Sequence, residues 1–187
     1  MESRKRFVKK DWLDLGLEQL ARDGGAALTV DAMCAAASRT RGSFYHHFQD
    51  HGAFLEALFL AWKQRNTLDV ADAIMRQPQD KRAQTLSDIA NMLDQDLERA
   101  VRQFAQSNDI ARKVVQEVDE VRTEFVVGLY RDAGLAPELA REIAQLEYAA
   151  YVGSQIVWPH MTADDRIRLD KRFASMVAKA FGPLTQT

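Results

Sequence analysis

Residues 29–48 read TVDAMCAAASRTRGSFYHHF. Two short helices fit this stretch. Thr29 is placed to cap the first, because its hydroxyl can accept a hydrogen bond from an orphan amide of the following turn. Val30, Met33, Cys34 and Ala37 would then form the inner face of that helix. Ser38-Arg39 breaks it, Thr40 is a second cap candidate, and residues 41–48 fit a short helix rich in Arg, Ser, Tyr and His. Upstream, Trp12, Leu13, Gly16, Leu17 and Leu20 share one face of an earlier helix, which Asp23-Gly24-Gly25 ends. Downstream, Asp50 can cap a fourth helix carrying Phe54, Leu55, Leu58, Phe59 and Trp62.

Working outward, the helical pattern persists. Pro78 marks a break, and helices are expected at about 81–95, 96–106 and 109–133. Gly134 and Pro137 bound the next, which runs to about Val157 before Pro159. Thr162 and two acids open a last helix that ends near Gly182-Pro183. No alternating strand pattern, repeat or low-complexity tract appears. The expected fold is all-α with about nine helices, divided into 1–52 and 53–187, although the fourth helix can belong to both parts.

Composition narrows the function. The chain has 187 residues, 47% of them apolar, enough for a core and too many for global disorder. No stretch approaches the roughly 20 apolar residues of a membrane span, and no apolar segment of a secretory signal follows the basic N-terminus. One cysteine, Cys34, excludes an internal disulfide and suits a reducing cytoplasm. It reads best as a small buried hydrophobe. The net charge of −2 speaks against nucleic acid only when averaged. Residues 1–10 hold five basic groups against Glu2. Residues 1–51 hold eight Lys/Arg against seven Asp/Glu, and residues 52–187 hold seventeen against twenty. A binding surface needs only a local field.

Three short helices followed by an Arg- and aromatic-rich one suggest a helix-turn-helix. A short helix N-terminus aims free amides at phosphate. Arg41 can read a guanine edge with its two-pronged donors, and Gly42 lets the backbone approach the groove. Tyr45, His46 and His47 can donate to phosphate oxygens. His46, His47 and His51 could also be read as a metal cluster, but no acid or cysteine completes a set, and no metal is expected. No cofactor motif is present. An enzyme is disfavoured by the lack of a glycine-rich phosphate loop, a Ser/His/Asp arrangement, or an acid pair on an evident cleft.

The run from Leu28-Thr29-Val30 through Thr40-Arg41-Gly42-Ser43-Phe44-Tyr45-His46-His47-Phe48 resembles the DNA-binding signature of the TetR family of bacterial transcriptional repressors. The resemblance covers about residues 9–60. A weaker family pattern appears in Leu97-Glu98-Arg99-Ala100, Gln103-Phe104-Ala105, Asp119 and Arg122. It implies a cytoplasmic homodimer that binds double-stranded operator DNA with pseudo-twofold symmetry, released by a small-molecule effector. By position, Thr29, Thr40, Tyr45 and His46 match phosphate-contacting sites, and Arg41, Gly42 and Ser43 match base-facing ones. Phe44 and Phe48 are expected in the core. Four departures stand out. Ser38-Arg39 replaces a usual Gly-Val turn, so Arg39 is expected to turn outward, toward a phosphate. His51 stands where a phosphate-binding Lys is common. Gly52 replaces an acid, and Gly25 a bulky residue. These departures leave a second reading open, a helical small-molecule sensor with a degenerate DNA-binding head.

The last two helices carry a long apolar stripe, and the resemblance implies a four-helix bundle with the partner. Tyr151, Gln155, Trp158, Phe173, Met176, Val177 and Ala180 are the expected dimer residues. A largely apolar effector pocket is expected to involve Trp62, Phe104, Asn108, Phe125, Tyr148 and Gln155.

Overall fold

A computed structural model of the chain describes residues 7–181. The expected helix end at Gly182-Pro183 and the basic groups of residues 1–6 lie outside the described residues. The α-helices are α1 (Lys9–Asp23), α2 (Val30–Ala37), α3 (Arg41–Tyr45), α4 (His51–Lys63), α5 (Asp69–Met75), α6 (Gln79–Met92), α7 (Gln95–Ala105), α8 (Asp109–Asp132), α9 (Pro137–Val157) and α10 (Ala163–Phe181). A 3₁₀ turn at Gly25–Leu28 precedes α2, and the described residues contain no strand. The backbone stays helical from α4 to α5 through a π-helical stretch, Gln64–Leu68. Ten α segments therefore form nine uninterrupted helical runs among the described residues. The all-α reading holds.

The expected start signals operate. Thr29 Oγ1 accepts from the Ala32 amide at 3.3 Å, Thr40 Oγ1 from Ser43 at 3.2 Å, and Asp50 Oδ1 from Ala53 at 2.8 Å. Thr162 Oγ1 accepts from Asp165 at 3.2 Å, and Pro137 occupies the first turn of α9. Each satisfies, or in the case of proline removes, an amide that a helix start leaves without an intrahelical partner.

The chain forms two compact units. One comprises residues to Gln64 together with Asp96–Val115; the other comprises Arg65–Gln95 and Gln116 onward. In the first, Trp12, Leu20, Leu28, Met33, Phe44, Phe54, Leu58, Phe59 and Trp62 are buried. The Phe44 ring is the hub. It meets Trp12 edge-on at 5.3 Å, Phe54 at 5.2 Å and Phe48 at 5.1 Å, geometries that suit the aromatic quadrupole. Phe44 and Phe48 thus occupy the core as expected, and Cys34 is buried as a free thiol. Gly16 permits α1 to approach α4: a Cβ there would stand 2.8 Å from Leu58 Cδ1 and 3.1 Å from Phe54 Cζ.

The unusual Gly25 also has a reason. A Cβ at this position would overlap the Phe104 ring, which stacks on Phe59 at 5.5 Å. Deeper still, Trp62 Nε1 donates to Glu98 Oε1 at 2.9 Å, with both side chains inaccessible to solvent. In the second unit, Val126, Val127, Ala140 and Ala144 make an apolar cluster with Leu86, Tyr130 and Leu135 against it.

Candidate nucleic-acid interface

The sequence between α2 and α3 sets the geometry of the reading head. Ser38 adopts φ 50°, ψ 48°, the left-handed region in which glycine is at ease. Its amide bonds to Ala35 O at 3.1 Å, and the Arg39 amide bonds to Cys34 O at 2.9 Å. The turn closes on backbone bonds alone, and serine carries the steric cost. Arg39 does not extend freely from this turn. It is half-buried, with its guanidinium 5.4 Å from the Phe7 ring centroid and Nη1 3.4 Å from Ser38 O.

After Thr40, the five-residue α3 presents Arg41, Gly42 and Tyr45 on its exposed side. Gly42 is exposed, and a Cβ built upon it would meet only Thr40 Oγ1, at an ordinary contact distance of 3.7 Å. Ser43 is half-buried and its amide is held by Thr40. Tyr45 is exposed, and its ring is edge-on to Phe44 at 5.5 Å. His46 is exposed and His47 half-buried, their rings 4.9 Å apart. Among the described residues, no group of His, Cys, Asp and Glu could hold a metal ion.

The geometry differs from expectation at two further places. His51 was expected at a phosphate, yet its ring is half-buried and Nε2 lies 2.8 Å from Leu28 O. A carbonyl can only accept, so Nε2 carries the proton and donates. His51 thereby ties the start of α4 to the segment before α2. The second difference is Asp31, which the sequence reading passed over. It accepts Arg41 Nε at 2.6 Å through Oδ1 and Arg41 Nη2 at 2.5 Å through Oδ2. The hydrogen bond from Arg41 holds the Asp31 carboxyl below its ordinary pKa, and the same bond raises that of Arg41. Both side chains remain well exposed, at 64% for Arg41 and 70% for Asp31. A guanidinium has five N–H donors. Two go to Asp31, which leaves the Nη1/Nη2 edge intact and aimed by the pair.

These features together are those of a helix-turn-helix with a prepared reading helix. The profile of the family described as bacterial regulatory proteins, tetR family, matches residues 13–58, from within α1 to within α4. Residues 13–58 therefore match the region that the TetR family model describes. A DNA-binding regulator of that type is what the match supports. No curated protein sequence matches this chain. Among solved structures, a transcriptional regulator from Rhodococcus sp. Rha1 is similar at TM-score 0.78 and 13% identity, covering 96% of this chain and 99% of that one. The fatty acid degradation regulator FadR from Bacillus halodurans is similar at TM-score 0.69 and 16% identity, covering 97% and 100%. FadR from Bacillus subtilis, solved in complex with stearoyl-CoA, is similar at TM-score 0.67 and 16% identity, covering 89% and 95%. At such identities the likeness is one of fold.

Away from the TetR-like head, the second unit contains a cavity of about 100 Å³ lined mainly by apolar side chains, among them Val70, Ile74, Leu86, Val121, Phe125 and Val126. Of the six residues expected in a pocket, Phe125 and Tyr148 line it. The other four do not. Trp62 is buried in the core of the first unit, and Phe104, half-buried in the same unit, stacks on Phe59 and lines a separate groove with Gly24 and Gly25. Asn108 caps α8, accepting from the Ala111 amide at 3.0 Å. Gln155 is 4% exposed, and neither polar atom of its side chain has a hydrogen-bond partner among the described residues.

The polar lining was missed by sequence reasoning. Arg122 bonds to Thr67 Oγ1 and Asn66 O, each at 3.0 Å. Tyr130 donates to Glu147 Oε2 at 2.6 Å, while Ser87 and Asn91 donate to Asp170 Oδ2 at 2.8 and 2.6 Å. Glu147 and Asp170 both line the cavity, so an acid pair does exist. They stand on α9 and α10, 23 residues apart in sequence, and only the fold brings them together. Glu147 did carry a signal, since it interrupts the apolar face marked by Ile143 and Tyr151. Burial pushes its pKa up, and the Asp170 charge adds to the rise while the Tyr130 bond opposes it.

The expected dimer residues divide as well. Trp158, Met176 and Ala180 are exposed, Tyr151 and Phe173 are half-buried, and Gln155 and Val177 are buried within the protomer. Leu146, Ile156, Val157, Leu169 and Phe181 extend the exposed apolar surface of α9 and α10. Among the described residues, no helix is long and apolar enough to cross a membrane.

Proposed function

We propose that the protein is a cytoplasmic, non-enzymatic, homodimeric repressor that leaves its operator when a small molecule enters the cavity of the second unit. The observation that carries the DNA-binding part is α3: capped by Thr40, it offers the free edge of Arg41, the exposed backbone at Gly42 and the exposed ring of Tyr45 within the matched segment. Functionally, the reading head is residues 1–52, stabilised by α4, and the rest senses and dimerises.

Dimerisation is supported by the apolar side chains that α9 and α10 leave exposed, centred on Trp158, Leu169 and Met176. Two heads on one dimer can span half-sites about one DNA turn apart. In this reading Tyr45, His46, His47, Thr29 and Thr40 donate to phosphates, Arg39 reaches a phosphate on leaving Phe7, and Arg41, Gly42 and Ser43 face the bases. His51 acts through its bond to Leu28 instead. The cavity supports effector binding, and FadR from Bacillus subtilis, with its bound stearoyl-CoA, is an instance of this fold holding a small molecule. Release requires that the effector bind the DNA-incompetent conformation more tightly.

A gel shift with the DNA upstream of the protein's own gene tests the reading. Salt-dependent binding is expected, lost in Arg41→Ala and Tyr45→Ala variants that melt like the wild type. Binding that survives both changes would overturn the residue assignment. No binding to any sequence in a random pool would favour the sensor with a degenerate head.

A further inference from the structure

The cavity of the second unit has more chemistry than an apolar hole requires. Glu147 uses Oε2 for Tyr130, and Asp170 uses Oδ2 for both Ser87 and Asn91. The second oxygen of each carboxylate, Glu147 Oε1 and Asp170 Oδ1, has no donor among the described residues. Neither acid has a cation within ion-pair distance there. An ionised carboxylate in a largely apolar wall is costly unless paired. Two of them facing one space create a position whose favoured occupant is positive.

The rest of the lining agrees. Tyr148 and Tyr151 stack at 6.3 Å with 28° between their planes. Their hydroxyls are engaged elsewhere, with Asp119 Oδ1 at 2.7 Å and Ala90 O at 3.2 Å. Their rings are left as wall, and aromatic faces attract cations. Arg122 is the one cation among the lining residues, and its Nε and Nη2 are spent on Thr67 and Asn66. Arg166 and Arg172 line the adjoining groove with Glu147 and Asp170, but not the cavity. Arg166 is itself tied to Met161 O and Asn91 O. An anionic effector would meet two carboxylates and no uncommitted partner for its charge.

We propose that the effector is a small protonated amine with a compact apolar body, its ammonium held between Glu147 Oε1 and Asp170 Oδ1 and its body against Phe125, Val126 and Tyr148. A cavity of about 100 Å³ limits that body to a short alkyl group, since it is smaller than the roughly 150 Å³ apolar cavity that accommodates benzene. The proposal rests on the reading of this cavity as the effector site.

Three probes of nearly one shape separate the charge from the cavity: propylamine, 1-propanol and propionate, each titrated calorimetrically into the full-length protein at pH 7. Propylamine is expected to bind about 10- to 100-fold more tightly than the alcohol, the advantage of a charge-assisted contact over a neutral one. Glu147→Gln and Asp170→Asn should each erase most of that preference while leaving the alcohol's affinity within about twofold. Tighter binding at pH 8 than at pH 5.5 is expected for the amine alone. The amine stays protonated across this range, and Glu147, which shares the cavity and its adjoining groove with Asp170, Arg122, Arg166 and Arg172 and bonds to Tyr130, is the carboxyl whose pKa burial raises. Equal affinity of amine and alcohol, or preference for propionate, overturns the cationic assignment and leaves the cavity as an effector site. Failure of all three probes to bind, together with unchanged operator affinity when Ala83→Phe fills the cavity in a protein that still melts cooperatively, overturns both.

Discussion

Replacing Asp31 by Asn tests how Arg41 reads DNA. In the wild type, Asp31 holds Arg41 through Nε and Nη2, cancels its charge, and leaves the Nη1/Nη2 edge to meet a guanine. Asn is nearly isosteric but neutral, and it can accept from only one of the two donors. The freed guanidinium then gains one uncompensated positive charge per head, available to phosphate. Each added phosphate contact steepens the dependence of log affinity on log salt by about 0.9. A dimer with two altered heads should therefore show a slope steeper by about 1.8. Between roughly 50 and 200 mM salt, its affinity should fall about 12-fold more than that of the wild type. At low salt, binding to scrambled duplex should strengthen. The ratio of selected to scrambled affinity should drop on the order of tenfold, because an Arg that is no longer aimed reads less well. Fluorescence anisotropy over a salt series, with a duplex selected from a random pool and a scrambled control, gives both quantities. The pair is exposed, so the fold should be indifferent, and matching melting curves check this. An unchanged slope with an unchanged ratio would show that Asp31 does not govern Arg41 on DNA.

Three more outcomes are expected. Glu98→Ala orphans the buried Nε1 of Trp62 and opens a void, costing about 2–4 kcal/mol, or roughly 4–16 °C in melting temperature for a chain of this size. Adding Trp62→Phe should cost less than it does in the wild type, and strict additivity would refute the coupling. Ser38→Gly should stabilise by about 1 kcal/mol, because it relieves a left-handed non-glycine residue, and chemical denaturation reads this directly. Glu147 has a raised pKa in the fold, so the folded state retains a proton that the unfolded state has lost. Stability then falls as pH rises from the unfolded value near 4.3 through the folded one. Glu147→Gln should remove this loss. Its melting temperature should gain on the wild type as pH rises from about 4 to 8, and an offset independent of pH would sink the argument.

Local information in the sequence carried most of the fold. Thr29, Thr40, Asp50 and Thr162 act within three residues of themselves, and the apolar periodicity of α1 and α4 needs only one helix to express it. The spacing of the family signature made Phe44 and Phe48 readable as core. What escaped was pairing across the chain. Arg41 with Asp31, His51 with Leu28 and Trp62 with Glu98 lie 10, 23 and 36 residues apart. Residue type does not distinguish an Arg free for phosphate from one clasped by a carboxylate. The cavity was harder still. Trp62 and Phe104 look as suitable for a pocket as Phe125 and Tyr148, and only the packing of Phe104 on Phe59 and over Gly25 separates them. Glu147 and Asp170 become a pair only once α9 and α10 are folded.

The three tryptophans fall into three different surroundings. Trp12 lies in the aromatic core of the reading head and Trp62 beside Glu98, both without solvent contact, while Trp158 is 56% exposed at the end of α9. The protein therefore contains its own optical labels. Iodide in solution can collide with Trp158 and not with the other two, and a partner seated on α9 and α10 would shield it. Emission from Trp12 and Trp62 reports instead on the integrity of the head and its carboxylate contact. Unmodified protein can thus reveal assembly and unfolding as separate spectroscopic events.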